Sequence, residues 1–201
     1  MKTTSKTLLA LAAACALSAA HAAPIYSDDF SGLGAMESPG SLTTTFTSGS
    51  AGAGTLALQI AGYASLDGVN CCTDTFHLIV NGTEIFTGSF NMGGGGTNTV
   101  FYNPHGGTAV TTTYGASGDP HDSTEVTWAG GITDINVGID LLAGTNTLTF
   151  AYESNFAQGL GDEGWGVNGV SVTAAVPEPE TYALMLAGLG VIGWMGRRRR
   201  A

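Results

Sequence analysis

Two stretches of the sequence concentrate oxygen ligands. Asp67-Gly68-Val69-Asn70-Cys71-Cys72-Thr73-Asp74 sets Asp67, Asn70 and Asp74 in one loop. Gly161-Asp162-Glu163-Gly164 sets Asp162 and Glu163 in another, just ahead of Trp165. Carboxylates and amides on glycine-rich loops suit Ca²⁺, which takes about six to eight oxygen ligands in flexible geometry. Two readings stand for these residues. Either some of Asp67, Asp74, Asp162 and Glu163 hold one structural Ca²⁺, or they are solvated loop acids that cap turns through backbone N–H groups.

The charge distribution sharpens that choice. Lys2 and Lys6 lie at the start and Arg197 to Arg200 at the end, and no Lys or Arg occurs from Thr7 to Gly196. All 16 acidic residues fall inside that span. Once both ends are removed, the product has no fixed side-chain cation. Nucleic acid is then excluded as a partner, because phosphate binding depends on Lys and Arg. Clustered acids must be solvated, protonated or bound to a cation.

Cys71 and Cys72 are adjacent. Neighbouring Cα atoms sit about 3.8 Å apart, inside the usual lower limit of about 4.4 Å for a disulfide. A vicinal bridge here is strained but possible in an oxidising compartment; intermolecular bridges and reduced thiols are the other states. Trp128, Trp165 and Tyr63 offer rings that could stack on sugars, or simply pack in the core. His77, His105 and His121 read as strand or turn residues. No nucleophile elbow, zincin pair or paired-cysteine zinc spacing is present, and no two acids stand out as a glycosidase pair, so no catalytic residue is assigned and an enzyme is not expected. The G-x-G-x-x-G match at Gly159, Gly161 and Gly164 leads into a strand, where no helix N-terminus can hold a pyrophosphate.

The elements that must position these residues are strands. Leu42 to Thr47, Thr55 to Ile60, Thr124 to Trp128, Ile132 to Ile139, Thr145 to Tyr152 and Val167 to Val172 alternate apolar and polar positions. Phe76, Leu78 and Val80 share a face, Asn81-Gly82 supplies a tight turn, and Ile85-Phe86 begins the return strand. Read this way, Asn81-Gly82-Thr83 is a turn rather than a glycosylation acceptor. Leu148, Phe150 and Tyr152 share a face after a turn at Ala143-Gly144. About eight to ten short strands with glycine-rich turns predict an all-β fold, an antiparallel, jelly-roll-like β-sandwich.

The ends read as processing segments. Residues 1–22 have the charged, apolar and small-residue order of a secretory signal peptide, with cleavage before Ala23. The sandwich is expected over 23–175. Residues 176–201 contain Pro177-Glu178-Pro179, an uncharged run from Tyr182 to Gly196 and four arginines. As a helix that run would span roughly 22 Å, short of the roughly 30 Å hydrocarbon core. It can insert transiently in the inner membrane, with the arginines kept in the cytoplasm.

The order Pro-Glu-Pro, short hydrophobic helix, Arg cluster resembles the PEP-CTERM sorting signal of Gram-negative bacteria. The resemblance implies recognition of Pro177, Glu178 and Pro179 by an exosortase, removal of the tail, and delivery to the cell surface or extracellular matrix of an exopolysaccharide-producing, biofilm-forming host. The domain also resembles β-sandwiches found upstream of such tails, through Asp67-Gly68, Asp74-Thr75-Phe76, Val80-Asn81-Gly82 and the Gly161 to Val172 segment. The expected role is structural or adhesive, associated with exopolysaccharide. The alternative is a carbohydrate-binding domain stabilised by calcium, with a glycan hydrolase as the remaining class.

Overall fold

The computed structural model describes residues 23–114, 130–154, 159–160, 162–175, 185–190, 192 and 195. The predicted signal peptide, the predicted strand Thr124 to Trp128 with His121 and Trp128, and the Pro177-Glu178-Pro179 motif fall outside them. Residues 23–175 form one compact unit, separate from the two chain ends.

Thirteen strands run through the described residues of that unit: β1 (Pro24–Asp28), β2 (Met36–Glu37), β3 (Gly40–Ser48), β4 (Gly52–Ala64), β5 (Leu66–Asp67), β6 (Thr75–Val80), β7 (Thr83–Ser89), β8 (Gly93–Gly95), β9 (Thr99–Tyr102), β10 (Gly107–Tyr114), β11 (Gly130–Leu141), β12 (Gly144–Glu153) and β13 (Glu163–Ala174). One sheet has the order β1-β13-β4-β11-β10, with β2 added against β13. The other has the order β3-β12-β6-β7-β9. Both are antiparallel. A short parallel pair, β5 and β8, lies outside the two sheets. This is the expected antiparallel sandwich.

Alternation decides which residues meet between the sheets. Leu56, Leu58 and Ile60 of β4 face Phe76, Leu78, Leu148 and Phe150 of the second sheet within one buried core. Phe150 is fully buried and meets Phe30 edge-on, ring centroids 6.1 Å apart. At the hairpin between β6 and β7, Asn81 and Gly82 have φ of 52° and 79°. Both central residues of a type I′ turn need such left-handed backbone, and Asn and Gly tolerate it best. Asn81 does more than turn. Its Nδ2 donates to Asn146 Oδ1 at 3.0 Å, and its Oδ1 accepts from the amide of Thr147 at 2.9 Å. The β6–β7 turn is thereby fixed to the start of β12.

β9 and β10 were not evident from alternation. Val100, Phe101 and Tyr102 of β9 are all about half exposed, so this edge strand has no clean inward face. In the tail, residues 185–190 are helical. No helix among the described residues is long and apolar enough to cross a membrane.

Replacing Phe150 with Ala removes a fully buried ring from a packed core. Unfolding the Phe150→Ala protein in denaturant should show a loss of about 3–5 kcal/mol, and a loss under about 1 kcal/mol would contradict the core as described.

Candidate cation site

Asp67 ends β5, Asp74 immediately precedes β6, and Glu163 opens β13. The sandwich brings them to one place, with one ligand oxygen from each within 4.8 Å of the others. That spacing fits a single Ca²⁺, since two oxygens each about 2.4 Å from the ion lie at most about 4.8 Å apart. The all-oxygen donor set favours a hard cation over a transition metal. Asp74 and Glu163 are buried and Asp67 nearly so.

The loop from 67 to 74 is preorganised. The amide of Asp67 donates to Asp74 Oδ2 at 2.7 Å, and the amide of Asp74 donates back to Asp67 O at 3.3 Å. Asn70 Nδ2 donates to Asp67 Oδ1 at 2.6 Å, while Asn70 Oδ1 accepts from the amide of Cys72 at 2.6 Å. Ser89 Oγ donates to Asp67 O at 3.1 Å. Gly94 leaves room for the Asp67 carboxylate, because a Cβ there would stand 2.7 Å from Asp67 Oδ1. The β13 side is anchored separately. The amide of Ser65 donates to Asp162 O at 2.8 Å, and the amide of Ser38 donates to Glu163 O at 3.0 Å.

Asp162 differs from the expectation that it shares the ligand set. Its Oδ1 accepts from Ser65 Oγ at 2.7 Å, so it ties the entry to β13 to the residue that follows β4. Its charge still acts on the site. Burial, with the charges of Glu163, Asp67 and Asp162, pushes the Asp74 carboxyl up to about 7 against the opposing hydrogen bond from the Asp67 amide. Burial likewise raises Asp67, offset by Asn70 and reinforced by Asp162. No lysine or arginine lies between Thr7 and Gly196 to relieve this crowding.

Asp74 Oδ1 is buried and accepts no hydrogen bond. A buried carboxylate oxygen left so costs about 1–3 kcal/mol or more, and a cation would remove that cost. The hydroxyls of Ser38 and Tyr152 nearby are also buried without partners. Tyr152 belongs to this neighbourhood: burial and then the Asp74 charge raise its phenol well above the ordinary value. Neither residue carries a sequence signal for this role, because a serine before Pro39 and an inward-facing strand tyrosine read as turn and core.

Trp165 is fully buried, its ring tilted against Tyr152 with centroids 5.5 Å apart, and its Nε1 donates to Glu37 O at 3.0 Å. It has no open face for a sugar, which corrects the stacking expectation. Tyr63 is buried too. Trp128 lies outside the described residues. Cys71 and Cys72 are exposed thiols with sulfurs 2.9 Å apart. The hydrogen bond between them, chiefly, pushes the Cys72 thiol up to about 11. Thiolate, the species that oxidises, is therefore scarce on Cys72 near neutral pH.

The pH dependence has a definite sign. Asp74 holds its proton in the folded chain up to about pH 7 but loses it near 3.8 when unfolded. The folded state then binds more protons across that window, so stability in chelator should fall as pH rises from about 4 to 7 and level off above. Ca²⁺ favours the ionised carboxyl and should restore the loss at neutral pH. Thermal melts with and without Ca²⁺ check this. Asp74→Asn should flatten most of the slope, leaving the smaller part due to Asp67, and abolish the calcium response, and a calcium response surviving that change would exclude Asp74 as a ligand.

Comparison with known proteins bears on the tail and on the fold. The domain is similar to a CBM35 from Cellvibrio japonicus Abf62, at 15% identity over 78% of this chain and 90% of that chain, with a TM-score of 0.35. It is similar to the carbohydrate binding module CBM6cm-2 from Cellvibrio mixtus lichenase 5A, solved in complex with cellotriose, at 14% identity over 79% and 91%, TM-score 0.36. It is also similar to part of dimeric latent PorU from Porphyromonas gingivalis, at 11% identity over 78% of this chain and 13% of that one, TM-score 0.43. Scores this low carry no inference about ligand or activity. No curated protein matches the chain. The PEP-CTERM protein-sorting motif matches residues 175–200. The chain therefore carries a PEP-CTERM protein-sorting motif, on residues 175–200.

Proposed function

We propose that this is an exported cell-surface or matrix protein, processed by an exosortase at Pro177-Glu178-Pro179, whose sandwich plays a structural or adhesive role in an exopolysaccharide. The sorting motif on residues 175–200 is the observation that carries this reading. The remainder of the chain is compatible with it in a physical way. A domain without lysine or arginine carries net negative charge, which opposes self-association. Outside the cell, where calcium is plentiful, the Asp67, Asp74 and Glu163 cluster has its neutralising ion at hand, and extracellular modules bind Ca²⁺ at about 10⁻⁴–10⁻³ M. In this reading calcium stabilises the domain rather than performing chemistry, and Cys71-Cys72 is the place where a vicinal disulfide would stiffen the 67–74 loop. The second reading, carbohydrate binding, is favoured by an open groove on the outer face of the β4 sheet, whose lining mixes apolar residues with serine, threonine, asparagine and aspartate.

The test is fractionation of a producer that expresses the tagged chain with and without its exosortase. With the enzyme, a shortened protein lacking the arginine terminus should appear in the surface or matrix fraction. Replacing Pro177 and Pro179 with Ala should leave the uncut form in the membrane fraction. Recovery of uncut protein from the cytosol of the exosortase-bearing strain would overturn the proposal.

A further inference from the structure

The outer face of the first sheet carries a groove of about 450 Å³. Its floor is set by cross-strand register. Ser27 pairs with Ser171, Ser171 with Ala57, Ala57 with Asn136, and Asn136 with Thr108. This row crosses five strands and places only small or hydrogen-bonding side chains side by side. Gly169 also lines the groove and deepens it. An adjacent row is set the same way, with Gln59 opposite Asp134 and Asp134 opposite Val110.

Asp134 is held in place. Gln59 Nε2 donates to its Oδ1 at 2.8 Å, and Asn168 Nδ2 in turn donates to Gln59 Oε1 at 3.0 Å. That chain orients the carboxylate and leaves Oδ2 as an acceptor. Asp28 and Asp29 line the other end. Asp28 is likewise braced, its Oδ1 accepting from the amide of Phe30 at 2.8 Å. Val110, about 60% exposed, adds the apolar contact.

We propose that this groove binds a glycan bearing free amino groups, laid across the strands. This rests on the polysaccharide-associated reading above and names the ligand class and the surface. Three features of the lining select it. Hydroxyl and amide groups from Ser27, Ser171, Thr108 and Asn136 suit a polyol. No aromatic ring is among the described residues that line the groove, so they offer no platform for the stacking that holds most neutral sugars. Three carboxylates, with no base among the lining residues, favour ammonium groups and repel an acidic glycan.

The test measures binding of defined hexamers to the full chain with its calcium, below the amine pKa. The probes are a β-linked glucosamine hexamer, its fully N-acetylated form, cellohexaose and a galacturonate hexamer. The glucosamine hexamer should bind, and more weakly as salt rises. Asp134→Asn should weaken it about tenfold, the worth of one charge-assisted hydrogen bond. Ala57→Leu, which fills the floor without changing charge, should weaken it comparably. Asp140→Asn, an equal charge change farther along β11, should not. Equal losses in Asp134→Asn and Asp140→Asn would mean attraction to the whole acidic surface and would overturn the groove. So would full binding by Ala57→Leu, or tighter binding of the N-acetylated or neutral hexamer. Co-sedimentation with the producer's own exopolysaccharide separates the two levels. If it persists while the groove variants are silent, the groove assignment fails and the matrix reading stands; if the protein binds neither the hexamers nor the native polymer, both fail.

Discussion

Three carboxylates converge at one end of a sandwich that owns no lysine or arginine. Asp67, Asp74 and Glu163 each come from the border of a different strand, and the fold cannot form without bringing them together. In most proteins a guanidinium or ammonium would answer such a cluster. Here compensation must come from protons or from outside the chain. The raised Asp74 carboxyl and its unmatched Oδ1 are two expressions of that one constraint.

The site is tied to the core on its apolar side. Tyr152 packs at a tilt against Trp165, centroids 5.5 Å apart, and against Phe76 at 5.6 Å. Phe76 follows Asp74 by two residues and Trp165 follows Glu163 by two, so each acid sits one strand step before a buried ring. Packing of the three rings therefore fixes the separation of two of the three acids. The energetic consequence is that rings and carboxylates oppose one another: burial of aromatic surface stabilises the fold while dragging charge out of water.

The same lack of basic residues shapes the outside of the domain. The outer face of the β4 sheet presents acids and small polar groups, and its Asp134 is braced by Gln59 and Asn168 from neighbouring strands. Between Thr7 and Gly196 an acid can be held by amides and hydroxyls but not by lysine or arginine. Amides orient a carboxylate without neutralising it, which leaves its charge available to a ligand or an ion.

Much was determined by the sequence alone. Alternation in Phe76-His77-Leu78-Ile79-Val80 and in Leu148 to Tyr152 declares half-buried strands, because the strand period of two must match the buried face. Asn81-Gly82 declares its turn, because few other pairs tolerate two left-handed residues. The tail is readable because a sorting signal works as a linear string of residues. The acid loops could be singled out by residue type, and Asp67, Asp74 and Glu163 do converge. What only the tertiary structure decided is which oxygens meet. Asp162 and Glu163 are adjacent, yet consecutive residues entering a strand point opposite ways, so one bonds Ser65 and the other joins the cluster. Trp165 is inward for the same reason. The groove was invisible in the sequence because Ser27, Ser171, Ala57, Asn136 and Thr108 become neighbours only through the registers of five strands, and register is a property of the paired sheet rather than of any one strand.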